Sequence, residues 1–422
     1  MPMRLIVATR QLGFGGGVET HLQAVLPLLH DRGHTLAILH EHPAIDGAQL
    51  LLDGGPPIRR FSAAGRSVDA VLDDVDAFAP DWIYNHGLDS PDLEAGLTRR
   101  FACLLYAHNY YGICISGTRC HSGQDILPCQ RAFGLACLAV YLPKHCGGRN
   151  PWTMLQRYRI EARRHQTLRR YAAILVASRY VASQFERCGI HPRMIHTVPL
   201  FPPGVVPTPQ PPASRPFTGR VLFLGRITAQ KGLDHLATAL VEAQTSLGRP
   251  LQLVVAGDGP NRDAMLARAR QCGLATEALG WISAAQRNDL MAGIDLLAVP
   301  STWPEPFGLV GLEAGCLGVP SVAYATGGIP DWLRPGISGE LATESPPRPP
   351  DLARAILRAL QDPAHWQALR EGAWRQSHNW SPEAHLACFL KVVEQALPAR
   401  PRSQGSSPPN TTATLSKKWI AD

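Results

Sequence analysis

The sequence contains no apolar run of bilayer length, so no segment reads as a membrane-spanning helix. The first apolar run, Leu5–Ala8, is too short for the core of a signal peptide. A cytoplasmic protein is expected, with peripheral contact at the inner face of a membrane still allowed. The sequons at Asn379 and Asn410 then carry no weight. Charged residues are scarce at 18%, while 45% of residues are hydrophobic, which excludes a wholly disordered chain. No pair of cysteines has C-x2-C spacing, which argues against a standard zinc knuckle. No internal repeat is present. The net charge of +7 suggests an anionic partner. No zinc-finger, helix-turn-helix or RNA-binding signature accompanies it, so nucleic acid is not expected.

What is present is a long, turn-rich chain. Its 422 residues exceed one ordinary hydrophobic core, and two domains follow. Short apolar strands at Leu5–Ala8, Thr35–Leu39, Trp82–Tyr84, Cys103–Tyr106 and Ala173–Val176 alternate with helical patterns such as Val18–Leu29. A second series has strands at Arg220–Leu224, Leu251–Val255, Ile294–Val299 and Pro320–Tyr324. Its helices fall at Gln230–Gln244, Asn261–Gln271 and Phe307–Leu317. Such alternation predicts α/β domains with parallel sheets. Seven prolines among residues 200–218 exclude a helix or central strand there and mark a stiff linker. The expected organisation is an N-terminal domain over 1–199 and a C-terminal domain over 219–380. A final helix over 381–397 and a disordered tail over 398–422 complete it.

The chemistry concentrates where strands end, as ligand sites do in open α/β sheets. Glu305 and Glu313 stand eight positions apart across a strand–loop–helix junction, with Gly308 and Leu309 between them. Ionised carboxylates are acceptors suited to vicinal hydroxyls. The helix start nearby favours phosphate. Glu313 is expected more than a turn into that helix. Arg226 and Lys231 follow another strand, with Lys231 early in a helix, and suit a diphosphate. Gly327 and Gly328 form a glycine turn whose N–H groups could meet a ligand. Gly13–Gly17 forms another, and a dinucleotide fingerprint there fails because Val18 stands at the third glycine. Glu41, at the end of the next strand, is the acid that such a reading would need.

In the order GR…KG, GDGP (Gly257–Pro260), E-x7-E and GGIPD, these motifs resemble the family 4 retaining glycosyltransferases. The likeness extends over about residues 3–396. It implies the GT-B fold: two Rossmann-like domains facing a central cleft, with a C-terminal helix crossing back to the N-domain. It implies a hexosyltransferase that moves a sugar from a nucleotide-diphosphate donor to a glycan or lipid-linked hydroxyl acceptor without a catalytic metal. Polysaccharide or lipid-linked glycan synthesis is the common task of such proteins. By the same resemblance Glu313 holds donor ribose, Glu305 holds donor sugar, and Arg226 and Lys231 neutralise the leaving diphosphate. His108, paired with Asn109, lies near the donor sugar, and Gly16 and Gly17 lie against donor phosphate or acceptor. Asp331 departs from the family's usual glutamate. Two rivals remain: a nucleotide-sugar 2-epimerase on the same fold, and a non-catalytic glycan- or nucleotide-binding subunit.

Two features stand outside those motifs. Cys114, Cys120, Cys129, Cys137 and Cys146 cluster in an insert over about 110–150, beside His121 and His145. The insert resembles that of one subset of the family. Core thiols, reducible disulfides, or a structural zinc or other metal would each explain the clustering. Cys188, Cys272, Cys316 and Cys388 are isolated and read as core packing. Residues 144–170 hold eight basic residues against Glu161, which equals the net charge of the whole chain. That segment reads either as a solvated helix or as a surface for anionic lipid.

Overall fold

The computed structural model describes residues 2–13, 17–43, 58–123 and 126–397. Gly16 and the tail from Pro398 lie outside the described residues.

Each half of the chain builds one parallel sheet. The N-terminal sheet runs Arg59–Ser62, Thr35–His42, Arg4–Gln11, Trp82–Asn85, Cys103–Ala107, Ala173–Val176, Ile195–Thr197. The C-terminal sheet runs Ala275–Gly280, Gln252–Ala256, Arg220–Leu224, Leu296–Val299, Ser321–Tyr324, Gly339–Ala342. Every pairing within both sheets is parallel. Central strands such as Leu296–Val299 are buried on both faces, hence their continuous apolar runs. Edge strands escaped the sequence reading. Ala275–Gly280, for example, has no β-branched run and a largely half-exposed surface.

In each sheet the strand order reverses beside the first strand. The switch points lie between Arg4–Gln11 and Trp82–Asn85, and between Arg220–Leu224 and Leu296–Val299. A crevice opens at such a point beyond the carboxyl ends of the strands. The expected GT-B architecture is present, including the return of the last helix. Helix Pro382–Ala396 inserts Leu386, Phe389, Val392 and Val393 into the N-terminal core beside Leu5, Val7 and Leu22. The Phe389 ring lies 4.7 Å from Tyr84 and 5.7 Å from Trp82.

The linker lies against the C-terminal domain. Arg370 donates to the Ala213 carbonyl and Trp374 to that of Thr208. Among the described residues no helix is long and apolar enough to cross a membrane.

Two sequence expectations are corrected. Cys272 and Cys388 are exposed, whereas Cys188 and Cys316 are buried. Cys272 caps the end of a surface helix, and Cys388 sits on the outward face of the last helix, so neither packs a core. The basic segment is also not uniformly solvated. In helix Pro151–Leu168, Arg164 turns inward, pairs with Glu161 at 2.6 Å and lies over the Tyr111 ring. Arg157, Arg159 and Arg163 stay exposed, with Arg163 loosely paired to Asp92.

Truncating a fully buried aromatic leaves a cavity as well as losing transfer energy. Phe389→Ala should therefore destabilise the protein by about 3–5 kcal/mol. Urea unfolding followed by tryptophan fluorescence checks this.

Candidate active site

The loops that leave the two switch points face one another and enclose a cavity of about 490 Å³. Gly17, His108, Lys231, Glu305, Gly308 and Leu309 line it. Glu305 is only 5% exposed, so its charge needs partners. Lys231 Nζ lies 2.5 Å from its Oε1, and the Ser301 hydroxyl donates to the same oxygen at 2.6 Å. The Lys231 ammonium also lies 5.8 Å from the centre of the Trp303 ring.

Lys231 is not in an α-helix. It ends a 3-10 turn, Ala229–Lys231, and the helix begins at Leu233. Gly232 separates them at φ 68°, and a Cβ there would meet the Pro300 carbonyl oxygen at 2.0 Å. Only glycine fits that position, and this contact brings the lysine against the Glu305 loop. Helix Val310–Cys316 also starts later than expected, because Gly308 takes φ 90°. Glu313 consequently sits in its first turn. Arg287, from helix Ala284–Ala292, pairs with Glu313 at 2.9 Å. Burial raises the Glu313 carboxyl pKa and Arg287 opposes that rise. Arg226 is exposed and lies outside the wall of the cavity, as does Glu313.

Gly327 and Gly328 pack against the Glu305 loop. The Gly328 N–H donates to the Glu305 carbonyl at 2.7 Å, so it is already used. A Cβ on Gly327 would meet that same carbonyl oxygen at 2.1 Å. The glycine turn supports the Glu305 loop from behind. The N-domain holds the loop from the other side. Tyr110 donates to the Pro304 carbonyl at 2.6 Å and Ser178 to that of Pro306 at 2.7 Å. Asp331 accepts from the Arg179 N–H and guanidinium at the start of helix Arg179–Arg187. Its carboxylate is thus an inter-domain clamp, favoured by the helix dipole. Sequence reasoning missed Tyr110, Ser178, Arg179 and Arg287. Ser178 and Arg179 directly follow strand Ala173–Val176, so the strand-end rule could have found them. Arg287 sits in no motif.

A second cavity of about 360 Å³ lies in the N-domain and shares Val18, His108 and Asn109 with the first. Arg10 and Arg164 also line it. Glu41 accepts from the backbone N–H groups of Asp89 and Ser90, so its carboxylate fixes a loop and is not free for a ribose. Behind His108 lies a group that no motif announced. His108 Nε2 is 2.8 Å from His86 Nδ1, and the rings of His21 and His385 pack beside them. Removal from water holds all four neutral. It lowers His108 to about 3 and His385 to about 4, and depresses His21 and His86 as well.

Fold and site together define a GT-B protein with a ligand cleft between its two sheets. Residues 213–376 match the family described as glycosyl transferases group 1. A D-inositol 3-phosphate glycosyltransferase of Salinispora arenicola is 33% identical over 189 residues, covering 42% of each protein. The chain thus spans less than half the length of this curated relative. A lipopolysaccharide outer core galactosyltransferase, WaaB, superposes with TM-score 0.65 at 15% identity, covering 93% of this chain and 99% of that one. HepE of Anabaena, solved with UDP-glucose, superposes with TM-score 0.62 at 18% identity, covering 93% and 99%.

The neutral histidines set a pH dependence. Their folded pKa values lie below the unfolded value of about 6.5, so protons bind the unfolded chain first. Their stabilising contribution is full above pH ~6.5 and is lost as pH falls toward the folded values of about 3 and about 4. Melting temperatures measured from pH 8 to pH 4 should fall through this window. His385→Gln should flatten that part of the curve.

Proposed function

We propose that this chain is a retaining hexosyltransferase that moves a sugar from a nucleotide-diphosphate donor to a hydroxyl acceptor. The observation that carries the reading is the Lys231–Glu305 pair, set in the wall of the cavity where the two switch points face each other. The match of residues 213–376 to group 1 glycosyl transferases supports it, as does the likeness to a structure solved with UDP-glucose.

In this reading the donor enters from the C-terminal side. Glu313 accepts hydroxyls of the ribose, with Arg287 opposing the protonation that burial favours. Glu305 accepts hydroxyls of the sugar. Lys231, and Arg226 once it swings in, meet the negative charge that grows on the leaving diphosphate as the sugar–oxygen bond breaks. Fixed cations aimed at developing charge stabilise the transition state more than the ground state, and no metal is required. The acceptor occupies the second cavity, whose wall holds the Arg10–Asp89 ion pair together with Arg164 and Glu19, donors and acceptors suited to hydroxyls. His108 stands between the two cavities and, being neutral, can hold a hydroxyl of either ligand. The contacts of Tyr110, Ser178 and Asp331 are the closed form of a cleft that excludes water during transfer.

The acceptor belongs to polysaccharide or lipid-linked glycan synthesis. The exposed face of helix Pro151–Leu168 then faces anionic lipid, since Arg157, Arg159 and Arg163 are accompanied there by Trp152 at 61% exposure and Ile160 at 37%. Arg164 is excluded from that role by its inward position.

Two measurements test the reading. Lys231→Ala should lower kcat about 10²- to 10³-fold with an unchanged circular dichroism spectrum. Wild-type turnover in that variant would overturn the assignment, and release of a rearranged sugar without acceptor would indicate the epimerase. Separately, Arg157→Glu with Arg159→Glu should abolish salt-sensitive binding to vesicles containing phosphatidylglycerol. Binding that is unchanged, or absent already in the wild type, would remove the membrane face.

A further inference from the structure

The insert places five cysteines around one small space. Cys114 lies in the loop after strand Cys103–Ala107, Cys120 opens the hairpin strand Cys120–Ser122, and Cys129 follows its partner Ile126–Pro128. Cys137 is on helix Ala136–Tyr141, and Cys146 is in the turn beyond it. All five line a single cavity of about 30 Å³, and all are free thiols. Simple core packing does not explain this arrangement, because an arginine lines the same cavity. Arg119 is 1% exposed. Its Nε donates to Gln184 and its Nη1 to the Ile113 carbonyl, but Nη2 has no partner. Arg131 is a second cation in the wall, and no carboxylate is part of that wall. A buried guanidinium requires a negative partner. Apart from the Tyr141 hydroxyl, a weak acid, only the sulfurs of that wall can become negative.

The backbone points the same way. Non-glycine residues with positive φ are rare. Among the described residues there are three, and two of them, Arg119 at 55° and His145 at 49°, immediately precede Cys120 and Cys146. His121 Nδ1 lies 3.2 Å from Cys146 Sγ.

We propose that the insert is a metal-binding module in which four thiolates from Cys114, Cys120, Cys129, Cys137 and Cys146 ligate one thiophilic centre. Each ligating thiol gives its proton to solvent as the metal binds. Four thiolates around a divalent ion, or around a cluster, leave net negative charge, which Arg119 and Arg131 balance. The spread of the sulfurs selects the kind of centre. A single tetrahedral zinc with Zn–S bonds of about 2.3 Å needs sulfurs about 3.8 Å apart. Among the described residues no three of these sulfurs lie within 4.8 Å of one another. Thiolates bound to separate irons of a cluster stand further apart than four thiolates on one zinc, so an iron–sulfur cluster is the centre proposed. The module also touches the cleft: Gln230 Nε2 lies 3.8 Å from Cys120 Sγ, and the Gln230 carbonyl accepts from Thr302 N–H at 3.0 Å. The centre therefore braces the loop that carries Lys231.

The test uses the full chain purified without oxygen. Iron and labile sulfide with broad visible absorption are expected. Stoichiometric zinc without iron would uphold the thiolate centre and overturn the cluster. Cys→Ser at each of the five positions should strip the metal in four variants, while Cys272→Ser, exposed and remote, keeps it. Should the variants fail to fold, thiol titration of the native protein decides. Chelation should expose about four new reactive thiols. Protein without metal whose insert thiols are already reactive, or disulfides among the five found by mass spectrometry, would overturn the proposal.

Discussion

The cleft depends on how Glu305 is held. A carboxylate this deeply buried is tolerable only with a cation and hydrogen-bond donors in fixed positions. Lys231 and Ser301 supply both at one oxygen. The loop that presents it is gripped from two domains, by Gly328 on one side and by Tyr110 and Ser178 on the other. Two close backbone approaches make that grip geometrically feasible. Gly232 meets Pro300, and Gly327 meets Glu305 itself. A side chain at either position would push the loop away and open the ion pair.

The same logic of buried charge governs the surroundings. Glu313 is kept by Arg287, and Asp331 by Arg179. The four histidines solve the problem in the opposite way, by staying neutral. Their position matters because His385 rides on the helix that crosses from the C-terminal half into the N-terminal core, and His108 lines the cleft. The seam that joins the domains and the wall of the site therefore share one water-poor cluster.

The cysteine insert applies a third solution. Its own apolar cluster is small: Ile115 and Tyr141 are buried with Met154 of the helix that follows. A thiolate-bound centre would supply the cohesion that such a segment lacks. Its contact with Gln230 joins it to the same loops that fix Glu305.

Much of this was legible in the sequence. Apolar runs bounded by glycine gave the central strands, and motif order gave the architecture. These are local signals, set by covalent geometry and by the need to bury apolar surface. Edge strands such as Ala275–Gly280 were not legible, since half-exposed positions carry little pattern. The same holds for the partners of the charged residues. Arg287 is 26 positions from Glu313, and Arg179 is 152 from Asp331, so no spacing rule links them. The exposed place of Arg226, the inward turn of Arg164 and the supporting role of Gly327 and Gly328 were likewise decided in three dimensions. Residue type fixed which groups could carry charge or approach a backbone closely. Which groups met was settled only when two sheets, each reversing beside its first strand, brought their loops to one cleft.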